Sequence, residues 1–352
     1  MSFDRKNALF AVGRPFSPLY GLLMQLRARC YESGIFTKHR LAVPVVSIGN
    51  LTLGGSGKTP VVQYIAALLR SRGYHPAIVS RGYGGNAGNP VNVVSDGSKI
   101  FLDADEAGDE PRLLAENLPD VAVLTGPVRR LPAHQAISLG ADIIILDDGF
   151  QHLALARDLD LVLFNADFLA GNSRIFPGGD LREPVAALNR CHGFILTGVG
   201  DENRRRAEKF SHLLQSRFPG RPVFFAGYTA DDLVFHRPDS DESAENPADV
   251  AALPLLAFCG IARPAAFRRT LARQGIHPCS LLEFRDHHRY SGEDMARLAA
   301  AARQQGAQGL ITTEKDYVKI RQYPINMPLW WLKMTVSLDN AFTEFVLNFL
   351  PA

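Results

Sequence analysis

The stretch NLTLGGSGKTP, Asn50 to Pro60, gathers a lysine, three hydroxyl side chains and three glycines at a spacing suited to holding phosphate. The Walker A pattern G-x-x-x-x-G-K-[ST] ends the same way. Gly57, Lys58 and Thr59 fit it, while Thr52 stands where the first glycine belongs. A threonine is tolerable there if the chain keeps a negative φ, with Gly54 and Gly55 supplying the turn. Backbone N–H groups from Thr52 through Leu53, Gly54, Gly55, Ser56 and Gly57 would then cradle phosphate oxygens, helped by the dipole of the helix that follows. Lys58 would reach the β- and γ-phosphates, and the Thr59 hydroxyl is placed for Mg²⁺.

Four further stretches carry chemistry. DIIILDDGFQH, residues 142–152, reads as a buried strand ending in acids, the Walker B arrangement, in which Asp147 or Asp148 faces the phosphates. Alone it would also suit a solvated turn before Gly149. SRGYGG, residues 80–85, permits close backbone approach to a ligand or is a plain glycine turn. In AGDEP, residues 107–111, Asp109 and Glu110 precede a first-turn proline and could simply open a helix. FRDHHRY, residues 284–290, pairs two histidines beside an acid without metal-ligand spacing, which favours catalysis or substrate binding.

These residues need a frame. After Arg40 the chain alternates short apolar runs with helical patterns, which predicts an α/β fold with a mostly parallel sheet covered on both faces. Strands are expected at 41–48, 76–80, 121–126, 142–146, 160–165 and 193–198, with a helix over 60–72. A polar stretch at 236–250 reads as a linker or exposed excursion. Beyond it, strands at 253–260, 280–284, 309–313 and 329–334 alternate with helices near 264–274 and 292–305, and a helix near 340–350 closes the chain. The division expected is an N-terminal segment 1–40, a P-loop unit 41–228, a linker 229–252 and a second, smaller α/β unit 253–352.

Composition excludes several classes. The 352 residues are 46% hydrophobic and 21% charged, with a net charge of +2, so nucleic acid is not an expected partner. Four widely spaced cysteines argue against a disulfide framework or a zinc site and fit a reducing cytoplasm. No apolar run is long enough to span a bilayer, and a signal-peptide pattern is lacking. Residues 1–40 hold seven basic side chains against two acidic, a net of +5, which leaves the rest of the chain at −3. Within them Leu19, Leu22, Leu23, Leu26 and Cys30 recur at helical spacing. Such a helix suits a membrane interface, or packing on its own domain.

Taken in order, TLGGSGKTP, SRGYGG, GDEP, DDGFQH, GNSRIFPGGDLREP, FCGIARP, FRDHHRY and ITTEKDYVK resemble the tetraacyldisaccharide 4′-kinase family of lipid A biosynthesis, over about Ser47 to Lys319. The resemblance implies a membrane-associated P-loop kinase with a second α/β/α unit joined through a β-stranded linker. It implies transfer of the γ-phosphoryl group of ATP to the 4′-hydroxyl of a tetraacylated disaccharide 1-phosphate, giving lipid IVA, at the cytoplasmic face of the inner membrane. Thr52 in the glycine's place is a trait of that family. Carried over by position, residues 52–59 would bind ATP, and Asp147, Asp148, Gln151, His152 and Glu183 would line the Mg²⁺–phosphate site. Asp109 would be the catalytic base and His287 its partner. Arg130 is the matched phosphate-side arginine, with Arg129 one position away. No stable protein partner is implied. The lipid acceptor favours the membrane reading of the N-terminal helix, since four acyl chains do not leave a bilayer cheaply.

Three other readings differ in class. A nucleotide switch would want an N-K-x-D-type motif after a late strand, where the chain has VGDENRRR. A ligase on a soluble acceptor leaves the basic amphipathic start and DHHRY unexplained, and a non-catalytic membrane module leaves the P-loop idle.

Overall fold

The computed structural model describes residues 9–236, 243–245 and 247–350. Asp4, Arg5 and Lys6 of the basic start, and most of the polar stretch 236–250, lie outside the described residues or their described side chains. All strands but one short piece form one continuous path, in the order β11, β10, β12, β13, β8, β7, β6, β1, β5, β2, β4, β3, with β9 added beside β8. These are β1 Val45–Asn50, β2 Pro76–Ser80, β3 Asn92–Asp96, β4 Ala122–Thr125, β5 Ile143–Asp147, β6 Leu159–Asn165, β7 Gly193–Thr197, β8 Val223–His236, β9 Ser243–Glu245, β10 Leu255–Cys259, β11 Ser280–Glu283, β12 Gly309–Thr313 and β13 Leu329–Ser337. Pairing is parallel except at β3 with β4, and at β8 with β13 and β9.

The apolar runs behave as doubly covered strands should. On β5, Ile143 and Ile145 enter one core while Ile144 and Leu146 enter the other, so both faces are buried. The helix after the P-loop, Lys58–Ser71, turns Val61, Val62, Ile65, Ala66 and Leu69 onto the first core. Its spacing of three and four residues puts all five on one stripe. The helix Arg130–Ser138 covers the opposite face through Ala133 and Ala136. The second half has its own two cores, one around Phe258, Leu298 and Trp331 and one around Phe267, Leu271 and Trp330.

Two features go beyond the expected division. β8 begins before the expected linker and runs into it: its first residues pair parallel with β7 and its remainder pairs antiparallel with β13. The halves thus share one strand. The terminal helix Asn340–Leu347, expected to close the second unit, instead buries Phe342 and Val346 in the P-loop half's core, against Phe224 and the helix 58–71. Each such burial contributes about 1.5–3 kcal/mol, enough to decide where a short helix docks.

Candidate active site

β1 and β5 are adjacent and parallel, with Ile48 opposite Asp147, so Asp147 and Asn50, two residues further on, both end at one edge of the sheet. That edge is where open α/β sheets bind ligands. The loop from Leu51 to Gly57 is pinned on three sides. Thr52 bridges to Leu181, and Leu53 N–H donates to the Asp180 carbonyl at 2.6 Å. The Asn50 side-chain amide donates to the Thr52 carbonyl at 2.8 Å, and Thr197 Oγ1 donates to the Ser56 carbonyl at 2.7 Å. Thr52 is not among the residues of positive φ, while Gly54 and Gly57 are, at 104° and 74°. The turn is therefore made by glycines, Gly54 as expected but with Gly57 rather than Gly55 as its partner. Gly57 has a second reason to be glycine, because a Cβ there would overlap the Tyr228 hydroxyl.

Lys58 opens the helix at this loop, with Nζ 3.4 Å from Asn50 Oδ1 and 3.5 Å from Asp148 Oδ1. Asp147 is buried. It accepts a hydrogen bond from Ser80 Oγ at 3.2 Å, and its Oδ1 has no partner. Burial, with Glu110 and Asp148 nearby, pushes its carboxyl up to about 7 against the pull of Lys58 and Arg129. Burial would raise Asp148 as well, but Lys58 and Arg182 outweigh it and hold that carboxyl below its usual range. Arg182 grips Asp148 at 2.9 and 3.1 Å. The two neighbouring acids are thus driven apart, the pattern that marks functional carboxylates.

Gln151 braces the loop by donating from Nε2 to the Asn50 carbonyl at 3.0 Å. His152 is pushed down to about 4, by burial first and then by Arg129, Arg157, Arg27 and Arg81, so it is neutral at pH 7. Glu183 is buried and pairs with Arg190 at 2.8 Å, leaving its Oε1 without a partner. Its described contacts run to Arg190 rather than to Asp147 or Asp148. Of the two candidate arginines, Arg129 is the buried one whose charge acts on Asp147 and Asp148, while Arg130 begins the next helix half-buried.

The second cluster spans the two halves. Asp109 opens the helix Asp109–Asn117, and its Oδ2 lies 3.1 Å from His287 Nδ1 and 3.5 Å from Lys319 Nζ. Burial alone would raise the Asp109 carboxyl, but the His287 hydrogen bond and the charges of Lys319 and Lys315 bring it below its ordinary value. Glu110 pairs with Lys315 at 3.1 Å and is held low by Lys315 and Lys58 against its burial. His287 takes a left-handed backbone, φ 57°, and its N–H donates to the Gly260 carbonyl at 3.1 Å. Asp148, at φ 54°, is the other site residue so placed, and such conformations persist where the surroundings over-determine them.

His288 is not in this cluster: its Nε2 meets Asp294 Oδ2 at 3.0 Å, within the capping box of the helix Gly292–Gln304. The glycine-rich loop 80–85 rests directly on the AGDEP segment, since a Cβ on Gly85 would strike the Glu106 carbonyl and one on Gly108 would strike that of Tyr83. That packing brings the Tyr83 ring to 5.6 Å from His287. Arg182, Lys315, Lys319 and Tyr228 were given no role from sequence. Lys315 and Lys319 carry one usable signal, an i, i+4 spacing that puts both on one helix face.

A family model of tetraacyldisaccharide-1-P 4′-kinase matches residues 9–351. A tetraacyldisaccharide 4′-kinase of Desulfotalea psychrophila is 44% identical over 348 residues, covering 98% of each chain. One from Syntrophus aciditrophicus is 38% identical over 345 residues, covering 95% of this chain and 91% of the relative. Among solved structures, the "apo" form of LpxK from Aquifex aeolicus in complex with ATP superposes with a TM-score of 0.77 at 30% identity, covering 96% of this chain and 98% of the other. With the loop, the acids and the cross-half cluster in the family's order, the chain belongs to the tetraacyldisaccharide-1-P 4′-kinase family.

Proposed function

We propose that this chain transfers the γ-phosphoryl group of ATP to the 4′-hydroxyl of a tetraacyldisaccharide 1-phosphate, giving lipid IVA, with Asp109 as the base. One observation carries the residue assignment. Asp109 is held low by His287 and the lysines, and its neighbour Glu110 lies close enough to Lys58 and Asp147 to act on both electrostatically. A carboxylate that stays ionised therefore sits next to the phosphate-binding loop.

Phosphoryl transfer rests on positioning and charge stabilisation rather than covalent chemistry. The loop 52–57 holds the β- and γ-phosphates by backbone N–H groups, and Lys58 exchanges Asp148 for phosphate oxygens. Arg129 supplies charge from the buried side, with Arg130 the alternative one residue on. Asp109 accepts the proton of the sugar hydroxyl as it attacks, and His287 holds that carboxylate in place. Because His287 comes from the other half, the base is complete only when the halves are together, which favours transfer over hydrolysis.

Among the described residues no three His, Cys, Asp or Glu side chains converge as a metal cage. That suits Mg²⁺, which takes one or two carboxylates and completes its shell with phosphate oxygens and water. The unpartnered Asp147 Oδ1 and the neutral His152 are ready donors. Thr59, Asp147 and Asp148 would hold the ion, with Gln151, His152 and Glu183 around them, and it would neutralise charge on the β- and γ-phosphates.

The N-terminal helix supports work at a membrane. Leu9, Val12, Phe16, Leu19, Leu22, Leu23 and Leu26 are each more than half exposed, and six of them recur every three or four residues on one face. The opposite face docks through small and polar groups: Ser17 Oγ donates to the Ile175 carbonyl at 2.9 Å, Tyr20 to that of Arg182 at 3.0 Å, and Arg27 to that of Gln151 at 3.2 Å. No described helix is long and apolar enough to cross a membrane. A helix docked by its polar side with leucines outward lies on a bilayer, at the inner membrane's cytoplasmic face, where ATP and the lipid meet. Incubation with ATP and disaccharide 1-phosphate in micelles should yield a lipid one phosphate heavier, with the new ester at the 4′ position. ATP turned over to free phosphate alone, with the acceptor unchanged, would contradict the proposal.

A further inference from the structure

We propose that Lys319, fixed by the buried Asp316, is a positioning residue that orients the Asp109 carboxylate for proton transfer. The inference rests on the reading of Asp109 as the base. It also explains the segments FCGIARP and ITTEKDYVK, to which the reaction itself assigns nothing.

The second half holds Lys319 by a chain of buried contacts. Thr313 caps the helix Glu314–Ile320, donating from Oγ1 to Asp316 Oδ2 at 2.7 Å and accepting from Asp316 N–H at 3.2 Å. Gly260 N–H, from FCGIARP, donates to the same oxygen at 2.9 Å. Asp316 is fully buried, and its other oxygen takes Lys319 Nζ at 2.9 Å. Lys319 is only 7% exposed, and its ammonium also donates to the His288 carbonyl at 3.1 Å and lies 5.1 Å above the Tyr290 ring. The ammonium is thus held within its own half by one hydrogen bond and one ion pair, and it lies 3.5 Å across the cleft from Asp109 Oδ2.

A buried ammonium is costly unless paired, and Asp316 supplies a counterion whether or not the halves meet. Lys319 therefore has a counterion within its own half, independent of Asp109. His287 Nδ1 meets the same Oδ2. Both groups act on Oδ2 and so leave Oδ1, which has no described partner, free to accept from an incoming hydroxyl. The charged and titratable groups acting on Asp109 are His287 from the DHHRY loop and Lys315 and Lys319 from the helix after β12, with Asp286 beside His287 and Glu110 paired to Lys315. With Lys319 removed, the burial of Asp109 is opposed by less positive charge, and its proton is released at higher pH.

The test is kcat and KM against pH for the full-length enzyme in micelles. It compares Lys319→Met, Lys319→Arg, Asp316→Asn and Asp109→Asn with the parent, each checked by circular dichroism and melting. Lys319→Met should lower kcat at neutral pH by about tenfold or more with KM for ATP little changed. The acid limb of its kcat profile should move up by about one pH unit or more. Lys319→Arg should restore most of the limb's position, and Asp316→Asn should shift it in the same direction by less. Should the methionine variant not fold, the arginine and asparagine variants still read the limb. A folded Lys319→Met with parental kcat and limb, beside an inactive Asp109→Asn, would overturn the inference alone. A loss equal at every pH would also overturn it, because packing rather than charge would then be at stake. Turnover retained by Asp109→Asn would remove the base, and this role for Lys319 with it.

Discussion

Asp147 is a carboxylate held where its charge is disfavoured. Its value near 7 lies above that of an unfolded aspartate, about 4. Between those values the folded chain keeps a proton that the unfolded chain has released, so this group lowers stability as pH rises through that window and keeps it lowered above. Asp147→Asn should therefore stabilise the protein at pH 8 by about 2 kcal/mol, with little change at pH 4, while transfer falls about 100-fold or more. Chemical denaturation at both pH values checks the sign, and equal effects at the two would contradict it. The adjacent histidines should separate as cleanly. His287→Ala should cost about 100-fold in kcat, whereas His288→Ala loses its contact to the capping box at Ser291–Asp294 and its ring contacts with Phe284 and Tyr290, and should cost about 1–2 kcal/mol of stability with near-parental turnover. The sequence marks the pair, but one histidine faces Asp109 because the left-handed backbone at residue 287 turns consecutive side chains apart, which spacing does not encode.

Elements with strong internal pattern were legible. The strands 76–80 and 309–313 fall where the sequence puts them, and most others within two or three residues, because runs such as IIIL have no solvent-facing register to choose. β8 was not legible. Its second half includes two adjacent aspartates and is a strand because β13 lies beside it, a pairing no local pattern announces. The N-terminal helix was half-legible: its apolar spacing could be read, but not whether the stripe faced the protein or the outside. Ser17 and Gly21 settle the docking side, leaving the leucines out. Leu19→Glu, Leu23→Glu and Leu26→Glu together should thus leave melting nearly unchanged, since exposed positions contribute within about 0.5 kcal/mol each. Sedimentation with anionic vesicles should fall steeply. A triple variant that still sediments like the parent would place membrane contact elsewhere.

At the scale of the molecule, the shared strand β8 and the returning terminal helix tie the halves together, while the acids of one half meet the lysines and histidine of the other. Local pattern offers no measure of this, because Asp109 and His287 are 178 residues apart and meet only through the fold; the family resemblance alone pairs them. The clasp should matter to fidelity. Lys315→Glu sets like charges opposite Glu110, and should lower lipid phosphorylation while raising the share of ATP lost to hydrolysis, read as phosphate released per lipid phosphorylated. The central claim is that Asp109, completed by the second half, directs phosphate from ATP to a lipid hydroxyl. Its most direct test follows γ-labelled ATP in micelles containing disaccharide 1-phosphate, with the parent and Asp109→Ala side by side. Label entering the lipid with the parent and lost with the variant is the result predicted. Label entering the lipid equally well with Asp109→Ala would contradict the account.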